Sequence, residues 1–346
     1  MTRGIVIVGA GYCGVSAAFA AREAGYDRAI TVIGDDPEWP YERPPLSKWD
    51  GAAPVFRTIV APEAYAAQGI ALRRGERVAS ISAADRLITL ETGERLPYDK
   101  LLLATGARPR RLEPTAPAKQ AFHTLRSIAD ARLLAERIGA GDSIILIGGG
   151  FIGLELAASL SRRGAQVHVI ETQDRILARV LPAEISAAVH ALHADHGVTF
   201  HTRSSVASFQ EGVVVLTDGS SLKADHVIVG IGSVPNTELA AQAGLQVAAP
   251  VADAGRRRHE SWEIAGEQGR RVGQILAGVT PDPATPSWVW SDQYDHSLQV
   301  GGTPVAGTTP LRRPQASGTP LCIDHLPDGR IAQAAGIAPG HKIGRD

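Results

Sequence analysis

The sequence predicts an α/β fold in which a strand, turn, helix and strand pattern occurs twice. In the first copy, a buried strand at Ile5–Val8 leads through a glycine turn to an alanine-rich helix at Val15–Ala24 and a strand at Ile30–Ile33. In the second copy, a strand at Ile144–Ile147 leads through a glycine turn and a helix to a strand at Val167–Ile170. Each copy ends on an acidic residue. This order is typical of units that bind a dinucleotide.

The glycines of both turns have the spacing of a pyrophosphate-binding turn. They are Gly9, Gly11 and Gly14 in the first copy, and Gly148, Gly150 and Gly153 in the second. In such a turn the first glycine permits the tight bend, the second lets the backbone approach the pyrophosphate, and the third lets the helix pack closely on the strand. The first turn of the helix also offers unpaired N–H groups to phosphate oxygens.

The acidic residues that end the two copies are Asp35 and Glu171. A carboxylate at this position accepts hydrogen bonds from an adenosine ribose. It also disfavours the 2′-phosphate of NADP, so Glu171 favours NAD in the second unit. Two such units indicate either two cofactors or one working site and one relic. An ordinary parallel βαβ unit without a nucleotide is the alternative.

Composition and charge exclude several classes of protein. The formal net charge of −1 gives no general attraction to nucleic acid or membranes, and no apolar run approaches the length of a membrane span. The cysteines, Cys13 and Cys322, form no C-x-x-C, which argues against a disulfide framework, a thiolate metal site and a redox dithiol. Cys13 is interpreted as a small packed residue. The first residues lack a cleavage-like ending, so we expect a cytoplasmic enzyme.

Metal binding is not predicted. Four histidines lie close together in the sequence, namely His190, His193, His196 and His201. Their spacing is ordinary for a surface helix that leads into a strand, and neither carboxylates nor thiolates accompany them in a ligand pattern.

The remaining elements predict a chain that leaves the first domain and returns to it. Strands are expected within Val78–Leu90 and Arg95–Ala104, and an amphipathic helix at Ile128–Ile138. Val213–Leu216 and Val227–Val229 are predicted to form a hairpin-like return across a turn at Asp218-Gly219. The predicted domains are residues 1–110 with 225–284, residues 111–224, and a C-terminal domain of residues 285–346.

Several motifs resemble one specific family. They are PYERPPLSK ending at Lys48, LLLATGARPR at Leu101–Arg110, VGIGSVPNTELA at Val229–Ala240, Glu260–Trp262, and WVWSDQY at Trp288–Tyr294. Together with the glycine turns, they resemble the FAD-dependent, NADH-using ferredoxin reductases of bacterial oxygenase systems, within the pyridine nucleotide-disulfide oxidoreductase superfamily. The resemblance implies two Rossmann-like domains of the glutathione reductase type, the first for FAD and the second for NAD, and a C-terminal α+β domain.

The resemblance also implies roles for individual residues. The residues expected at FAD are Gly9, Gly11, Gly14, Asp35, Arg43, Pro45, Lys48, Thr105, Gly106 and Arg126, and those expected at NAD are Gly148, Gly150, Ile152, Gly153, Glu171 and Gly232. Lys48 would lie near the N5/O4 edge of the flavin, Glu155 would point toward the nicotinamide amide, and Trp290 would flank the flavin.

Plainer interpretations remain open for three of these residues. Arg126 also fits a solvated arginine at a helix start, and Trp290 fits ordinary core packing. Glu155 also fits a capping residue, or an ion pair with Arg162 or Arg163, on its own helix.

The chain departs from the family pattern after Val247. The two strands that normally precede an Asp-containing FAD segment are missing, and Asp253 is a poor substitute for that aspartate. The C-terminal domain is expected to be shortened, with strands around Leu321–Ile323 and Arg330–Ala334. Unmet hydrogen bonds cost about 1–3 kcal/mol each, so weakened or lost FAD binding is expected. Two explanations are open: the sequence is an edited or degraded version of a working reductase, or it is a natural family member that has lost flavin-dependent electron transfer.

The first hypothesis for function is an NADH-dependent ferredoxin reductase. It would pass a hydride from NADH to FAD and single electrons to a [2Fe–2S] ferredoxin that serves a Rieske oxygenase or a cytochrome P450. A basic rim formed by Arg256–Arg258 and Arg270-Arg271 would dock an acidic ferredoxin, although a solvated face explains it equally well. The alternatives are a flavin-depleted enzyme with other chemistry and a nucleotide-sensing scaffold. No nucleic acid or membrane partner is expected, and the oligomeric state is a monomer or homodimer.

Overall fold

The computed structural model describes residues 3–49, 54–112, 122–210, 212–245, 261–305, 309–315 and 318–340. Asp253, Arg256–Arg258 and the break after Val247 lie outside these residues. The chain forms two compact units. Unit 1 comprises Met1–Glu42, Phe56–Arg108 and Val234–Thr285, and unit 2 comprises Arg43–Val55, Pro109–Ser233 and Pro286–Asp346. The domain limits given above stay predictions.

The described residues form the following elements. The helices are α1 (Tyr12–Glu23), α2 (Pro62–Ala67), α3 (Ile128–Arg137), α4 (Phe151–Arg162), α5 (Ala183–Asp195), α6 (Glu238–Gln242) and α7 (Trp262–Ala277), with a 3₁₀ turn at Pro44–Ser47. The strands are β1 (Ile5–Val8), β2 (Ile30–Gly34), β3 (Ile70–Arg74), β4 (Val78–Ser82), β5 (Leu87–Leu90), β6 (Arg95–Pro97), β7 (Lys100–Leu103), β8 (Ala107–Pro109), β9 (Phe122–His123), β10 (Ser143–Ile147), β11 (Gln166–Ile170), β12 (Thr199–His201), β13 (Val206–Gln210), β14 (Val213–Leu216), β15 (Ser221–Lys223), β16 (His226–Val229), β17 (Ser233–Pro235), β18 (Trp288–Gln293), β19 (His296–Gly302), β20 (Leu311–Arg313), β21 (Leu321–His325) and β22 (Ile331–Pro339).

The first βαβ unit forms the centre of unit 1, as the sequence predicted. Its parallel sheet has the order β3-β2-β1-β7, with Ile5 paired to Ile30 on one side and to Lys100 on the other. All four residues of β1 are buried, because a central parallel strand is covered on both faces and needs no polar side. A second, antiparallel sheet of β4, β5 and β6 packs nearby, and its first turn places Arg86 at a φ of 53°.

The second βαβ unit forms the parallel sheet of unit 2, in the order β12-β11-β10-β16-β9. Strand β10 is buried throughout, and it pairs in parallel with β11 and with β16. The predicted hairpin-like return is therefore wrong. Strand β14 turns back at Asp218-Gly219 to pair with β15, whereas β16 joins the central sheet beside β10. Hydrophobic periodicity identified β14 and β16 but did not indicate their partners.

The proline pair Pro44-Pro45 begins a helical turn. Two consecutive prolines commonly indicate an extended chain, but Pro44–Ser47 forms a single 3₁₀ turn, in which the backbone N–H of Lys48 donates to the carbonyl of Pro45. A fixed φ near −65° suits the start of a helical turn as well as an extended chain, and here the turn is formed.

The C-terminal segment forms a five-stranded antiparallel sheet in the order β18-β19-β22-β21-β20. The sequence predicted β21 and part of β22 and missed the other three strands. Residues of this sheet, including Leu298, Cys322 and Ile337, share one buried cluster with Leu154 of α4 and Val189 of α5. The sheet therefore covers helices of the second βαβ unit within unit 2. In the part of the chain that the structure describes, no helix has both the length and the apolarity needed to cross a bilayer.

Helix α7 packs closely on α1 in unit 1, and glycines on α7 make this possible. A methyl group on Gly269 would overlap the carbonyl oxygen of Cys13, and one on Gly273 would overlap that of Ala17. Near the start of both helices, Tyr12 stacks on Trp262 with ring centroids 4.1 Å apart. The two helix backbones therefore touch where α7 lacks side chains.

We expect Gly269→Ala to destabilise the protein. The added methyl overpacks the contact with α1 at a cost of about 1–3 kcal/mol, although alanine favours a helix over glycine by about 1 kcal/mol. Denaturant unfolding of the cofactor-free protein would measure the loss. Gln268→Ala, at the exposed neighbouring position, is the matched control. A Gly269→Ala protein as stable as this control would contradict the close packing.

Candidate functional site

The first glycine turn joins β1 to α1 in unit 1. Gly9 has a φ of +118°, and a methyl group there would overlap the carbonyl of Ala104 at the end of β7. A methyl on Gly14 would overlap the carbonyl oxygen of Gly9. A methyl on Gly11 would meet nothing within 4 Å. Gly9 and Gly14 are therefore required by close contacts within the protein, whereas the space beside Gly11 is open and could admit a ligand.

The second glycine turn repeats this geometry in unit 2. Gly148 has a φ of +106°, and a methyl there would lie 2.6 Å from the carbonyl oxygen of Gly230, just beyond β16. A methyl on Gly153 would lie 2.5 Å from the carbonyl oxygen of Gly148. The middle glycine, Gly150, again faces open space. Each unit therefore has the same tight bend, closely packed helix and open backbone.

Both helices that follow the turns start without a capping side chain or an acidic residue of their own. The N-caps of α1 and α4 are Gly11 and Gly150, neither of which has a capping side chain, and no acidic residue lies in either first turn. The free N–H groups and the helix dipole therefore favour an anion. This donor set fits the pyrophosphate of a dinucleotide in each unit, and the open middle glycine leaves room for its backbone approach.

Asp35 lies beside a cavity of ≈ 340 Å³ in unit 1. The other lining residues are Gly75, Glu76, Arg77, Leu90, Glu91 and Thr92. The carboxylate of Asp35 is exposed and lies 3.7 Å from the guanidinium of Arg77. The next residue, Asp36, accepts bonds from the backbone N–H of Glu38 and the hydroxyl of Tyr41. Asp35 is thus the acid available to a ribose, while Asp36 holds the local chain.

Glu171 lies at the end of β11, where its carboxylate is bound to the backbone around it. It accepts hydrogen bonds from the N–H of Gly149 at 2.8 Å and the N–H of Gln173 at 2.9 Å. The acid is therefore held against the second glycine turn, and its ribose role stays a prediction. Gly232, with a φ of +99°, follows β16, and its carbonyl accepts the backbone N–H of Arg110.

Thr105 and Gly106 are fastened by a residue that the sequence argument did not assign, Asn236. The hydroxyl of Thr105 donates to the carbonyl of Asn236 at 2.6 Å, and the Asn236 amide donates to the carbonyl of Thr105 at 2.9 Å. The backbone N–H of Asn236 also bonds to the carbonyl of Gly106. Asn236 stood within the quoted VGIGSVPN motif, so its position could have been noticed. These bonds fix the backbone beside Gly9.

The predicted residues Lys48, Glu155 and Trp290 come together in unit 2. The carboxylate of Glu155 is 6% exposed and lies 3.2 Å from the ammonium of Lys48. The hydroxyl of Ser291 donates to the same carboxylate at 2.6 Å, and that of Ser47 donates to its other oxygen. The ring of Trp290 has its centroid 5.7 Å from the Lys48 ammonium. A buried carboxylate is tolerated here because three donors surround it.

The plainer interpretation of Glu155, an ion pair with Arg162 or Arg163, is wrong. The guanidinium of Arg163 donates to the carbonyls of Ala135 and Ile138, and that of Arg162 lies over the ring of Tyr294. Both arginines point away from Glu155, because the 3₁₀ turn and β18 occupy that side of α4. Ser47 and Ser291 are site residues that the sequence argument missed.

The other predicted residues lie at the starts of helical segments. Arg43 precedes the 3₁₀ turn, and Pro45 lies within it. Arg126 comes just before the N-cap of α3, where its backbone N–H donates to Asp130 at 2.9 Å. Ile152 lies in the first turn of α4 with half of its surface exposed. The cofactor roles of these residues stay predictions.

Among the described residues, no group of three or more histidine, cysteine, aspartate or glutamate side chains is arranged so that it could hold a metal ion. His168 and His201 lie 3.2 Å apart, and burial, followed by the neighbouring His201, lowers the pKa of His168. Burial raises the pKa of the Cys13 thiol, so the thiolate is disfavoured. This agrees with the interpretation of Cys13 as a packed residue.

Comparison with known protein families supports the geometry. Residues 3–257 match the model of the pyridine nucleotide-disulphide oxidoreductase family. The chain belongs to this family. Residues 288–345 match the reductase C-terminal domain, which covers the antiparallel sheet from β18 to β22.

Relatives with assigned roles include two bacterial reductases. The ferredoxin–NAD(+) reductase component of the anthranilate 1,2-dioxygenase system of Burkholderia cepacia is 39% identical over 374 residues, covering 98% of this chain and 92% of the relative. Putidaredoxin reductase of Pseudomonas putida is 36% identical over 336 residues, covering 86% of this chain and 80% of that reductase. The alignment with the Burkholderia protein has more positions than this chain has residues, so this chain lacks residues that the relative has.

Two solved structures agree with the fold. Putidaredoxin reductase in its covalent complex with putidaredoxin matches with a TM-score of 0.87 and 32% identity, over 97% of this chain and 89% of that one. The ferredoxin reductase of the CYP199A2 system from Rhodopseudomonas palustris matches with a TM-score of 0.88 and 31% identity, over 96% and 91%. The predicted family and α/β fold are thereby confirmed.

We expect Glu155→Gln to destabilise unit 2. The substitution removes the charge that Lys48 and the two serine hydroxyls surround, and places an N–H₂ among donors, which costs about 2–3 kcal/mol in the free energy of unfolding. Denaturant unfolding checks this. Glu136→Gln, at an exposed position on α3, should change stability by less than about 0.5 kcal/mol. Equal effects of the two substitutions would contradict the buried ion pair.

Proposed function

We propose that this chain is an FAD-dependent NADH:ferredoxin reductase that passes electrons to a [2Fe–2S] ferredoxin serving a Rieske oxygenase or a cytochrome P450. The observation that carries the proposal is the pair of glycine turns, each with an open middle glycine and an uncapped helix N-terminus. Two complete turns support two dinucleotides. The choice of electron acceptor rests on the relatives, which are named a ferredoxin–NAD(+) reductase component and putidaredoxin reductase.

The two turns divide the cofactors between the units. In unit 1, Gly9, Gly11 and Gly14 would hold the FAD pyrophosphate, with Asp35 on the ribose and Thr105-Gly106 beside the turn. In unit 2, the turn of Gly148, Gly150 and Gly153, together with Ile152, Glu171 and Gly232, would hold NADH. When bound, FAD supplies the conversion of a hydride, which carries two electrons, into single electrons that a [2Fe–2S] centre accepts.

Lys48, Glu155 and Trp290 are the residues we propose for the reaction itself. Lys48 would bring positive charge to the flavin edge, together with Arg43 and Pro45 of the same segment, and Arg126 would contact FAD. Glu155 fixes Lys48 through their 3.2 Å ion pair and would accept a hydrogen bond from the nicotinamide amide. Trp290 presents a flat apolar face beside Lys48, which suits stacking against an aromatic ring.

The flavin-depleted alternative receives no support from the comparisons, since the relatives reported above are reductases by name. The absence of a C-x-x-C from the sequence argues against disulfide reduction, another activity in this family. A cytoplasmic location is proposed because ferredoxins and NADH are available there. The basic rim remains part of the proposal only through Arg270 and Arg271, which lie on α7.

Substitution of the two middle glycines should separate the cofactor sites. Gly11 and Gly150 have φ values of −78° and −88°, and a methyl on either meets no protein atom, so alanine is accommodated without strain. We expect Gly11→Ala to raise the dissociation constant for FAD, and Gly150→Ala to raise the dissociation constant for NADH, each about tenfold or more. The reason is that the added methyl keeps the pyrophosphate away from the backbone, and a loss of about 1.4 kcal/mol in binding free energy corresponds to a factor of ten. Titration of cofactor-free and FAD-loaded protein measures both.

Each variant is the control for the other. In the absence of cofactor, both variants should have the same thermal unfolding temperature as the wild type. The assignment of the turns would be wrong if Gly11→Ala impaired NADH binding and left FAD binding unchanged.

Visible absorption tests the reductase activity directly. We expect purified protein with FAD to show flavin bands that bleach on anaerobic addition of NADH, and more slowly with NADPH, because Glu171 disfavours a 2′-phosphate. Addition of a [2Fe–2S] ferredoxin should then restore the bands as two equivalents of ferredoxin are reduced. A protein that takes up no FAD would exclude the proposed function.

A further inference from the structure

A line of buried polar side chains runs from Glu155 to helix α5 within unit 2. Ser291 donates to Glu155 at 2.6 Å, the amide nitrogen of Gln293 donates to Ser291 at 3.0 Å, and the amide oxygen of Gln293 lies 2.8 Å from Nε2 of His193. Ser291, Gln293 and His193 are each 0% exposed. Three consecutive, fully buried polar residues without contact with water are costly unless each donor meets an acceptor.

The carboxylate fixes the direction of every bond in this line. An ionised carboxylate only accepts hydrogen bonds, so Ser291 must donate its hydroxyl proton to Glu155. The Ser291 oxygen then accepts from the –NH₂ group of Gln293, which turns the amide oxygen of Gln293 toward His193. That oxygen needs a donor, so His193 carries its proton on Nε2. The charge of Glu155 thus determines a tautomer three residues away.

His193 is suited to remain a neutral donor at physiological pH. Burial, partly offset by the bond to Gln293, lowers the pKa of His193 to about 4, and the nearby His196 and His190 contribute in the same direction. Other groups facing the ring are Tyr294, whose hydroxyl lies 3.5 Å from Nδ1, and the ring of Phe200. None of these groups is a carboxylate, and the Gln293 amide oxygen is the contact that favours the protonated ring. Burial outweighs this contact, so the neutral ring is favoured.

We propose that His193, Gln293 and Ser291 are positioning residues that hold the Glu155 carboxylate directed at Lys48. The inference rests on the proposed function, in which Lys48 and Glu155 arrange the nicotinamide and the flavin. Without the line, Ser291 is free to turn its hydroxyl away and Glu155 loses one of its three donors. The ion pair would then lose its single orientation, while the glycine turn that binds NADH would be unaffected.

The first test needs no cofactor. Two-bond ¹H–¹⁵N correlation spectra of histidine-labelled protein distinguish the two neutral tautomers of His193, with His193→Gln used for assignment. We expect the Nε2–H form at pH 7. The Nδ1–H form would overturn the proposal, because Nε2 could then not donate a hydrogen bond to the amide oxygen of Gln293.

The second test separates rate from binding. In the FAD-loaded protein, we expect His193→Leu to lower the rate constant for flavin reduction at saturating NADH about tenfold, the effect of one lost hydrogen bond, with the apparent dissociation constant for NADH changed less than about twofold. His193→Gln restores a donor near Nε2 and should recover the rate to within about threefold. His190→Leu, the same change one turn earlier on α5, should leave the rate unchanged.

Ser291→Ala removes one oxygen atom from the line and serves if His193→Leu does not fold; the same loss of rate with unchanged NADH binding is expected. Wild-type rates in Ser291→Ala would overturn the proposal. If wild-type protein is not reduced by NADH, the proposed function fails, and the tautomer measurement still decides whether the line is polarised by Glu155.

Discussion

Backbone packed directly on backbone is the constraint from which both units are built. In unit 1 the position of Gly14 admits no side chain because the carbonyl of Gly9 lies against it, and Gly153 and Gly148 repeat this in unit 2. The helix must therefore begin where the strand ends, with its N-terminal N–H groups facing outward beside the middle glycine. Because each unit fulfils this requirement separately, the two nucleotide sites do not depend on each other for their local shape.

The buried carboxylate of Glu155 organises the rest of unit 2 in a different way. A charge removed from water requires donors, and here they come from segments far apart in sequence: Ser47 and Lys48 from the 3₁₀ turn and Ser291 from β18. The carboxylate of Glu155 thus joins the 3₁₀ turn and Lys48 to β18, the first strand of the C-terminal sheet. Apolar residues of the same volume would pack there but would not fix the orientation of Lys48.

The sequence predicted those parts of the fold whose signal is local. Buried parallel strands such as β1 and β10 are continuous apolar runs, and glycine spacing marks the turns, so both βαβ units were found. The C-terminal strands were mostly missed because strands such as β19 carry glycine and polar residues. Glu155 was assigned through resemblance alone. Ser291 and Gln293 were not found, although two polar residues on one face of a strand within a mainly apolar segment indicate a buried network.

Helix α7 carries within itself the features that determine how it docks. Ser261 caps its start, Gly278 ends it in the left-handed region, and the glycines between them set its register on α1. The register of α7 on α1 is therefore written into α7 itself. In evolutionary terms, any larger residue at Gly269 or Gly273 would push the two helices apart, so these two positions admit little variation.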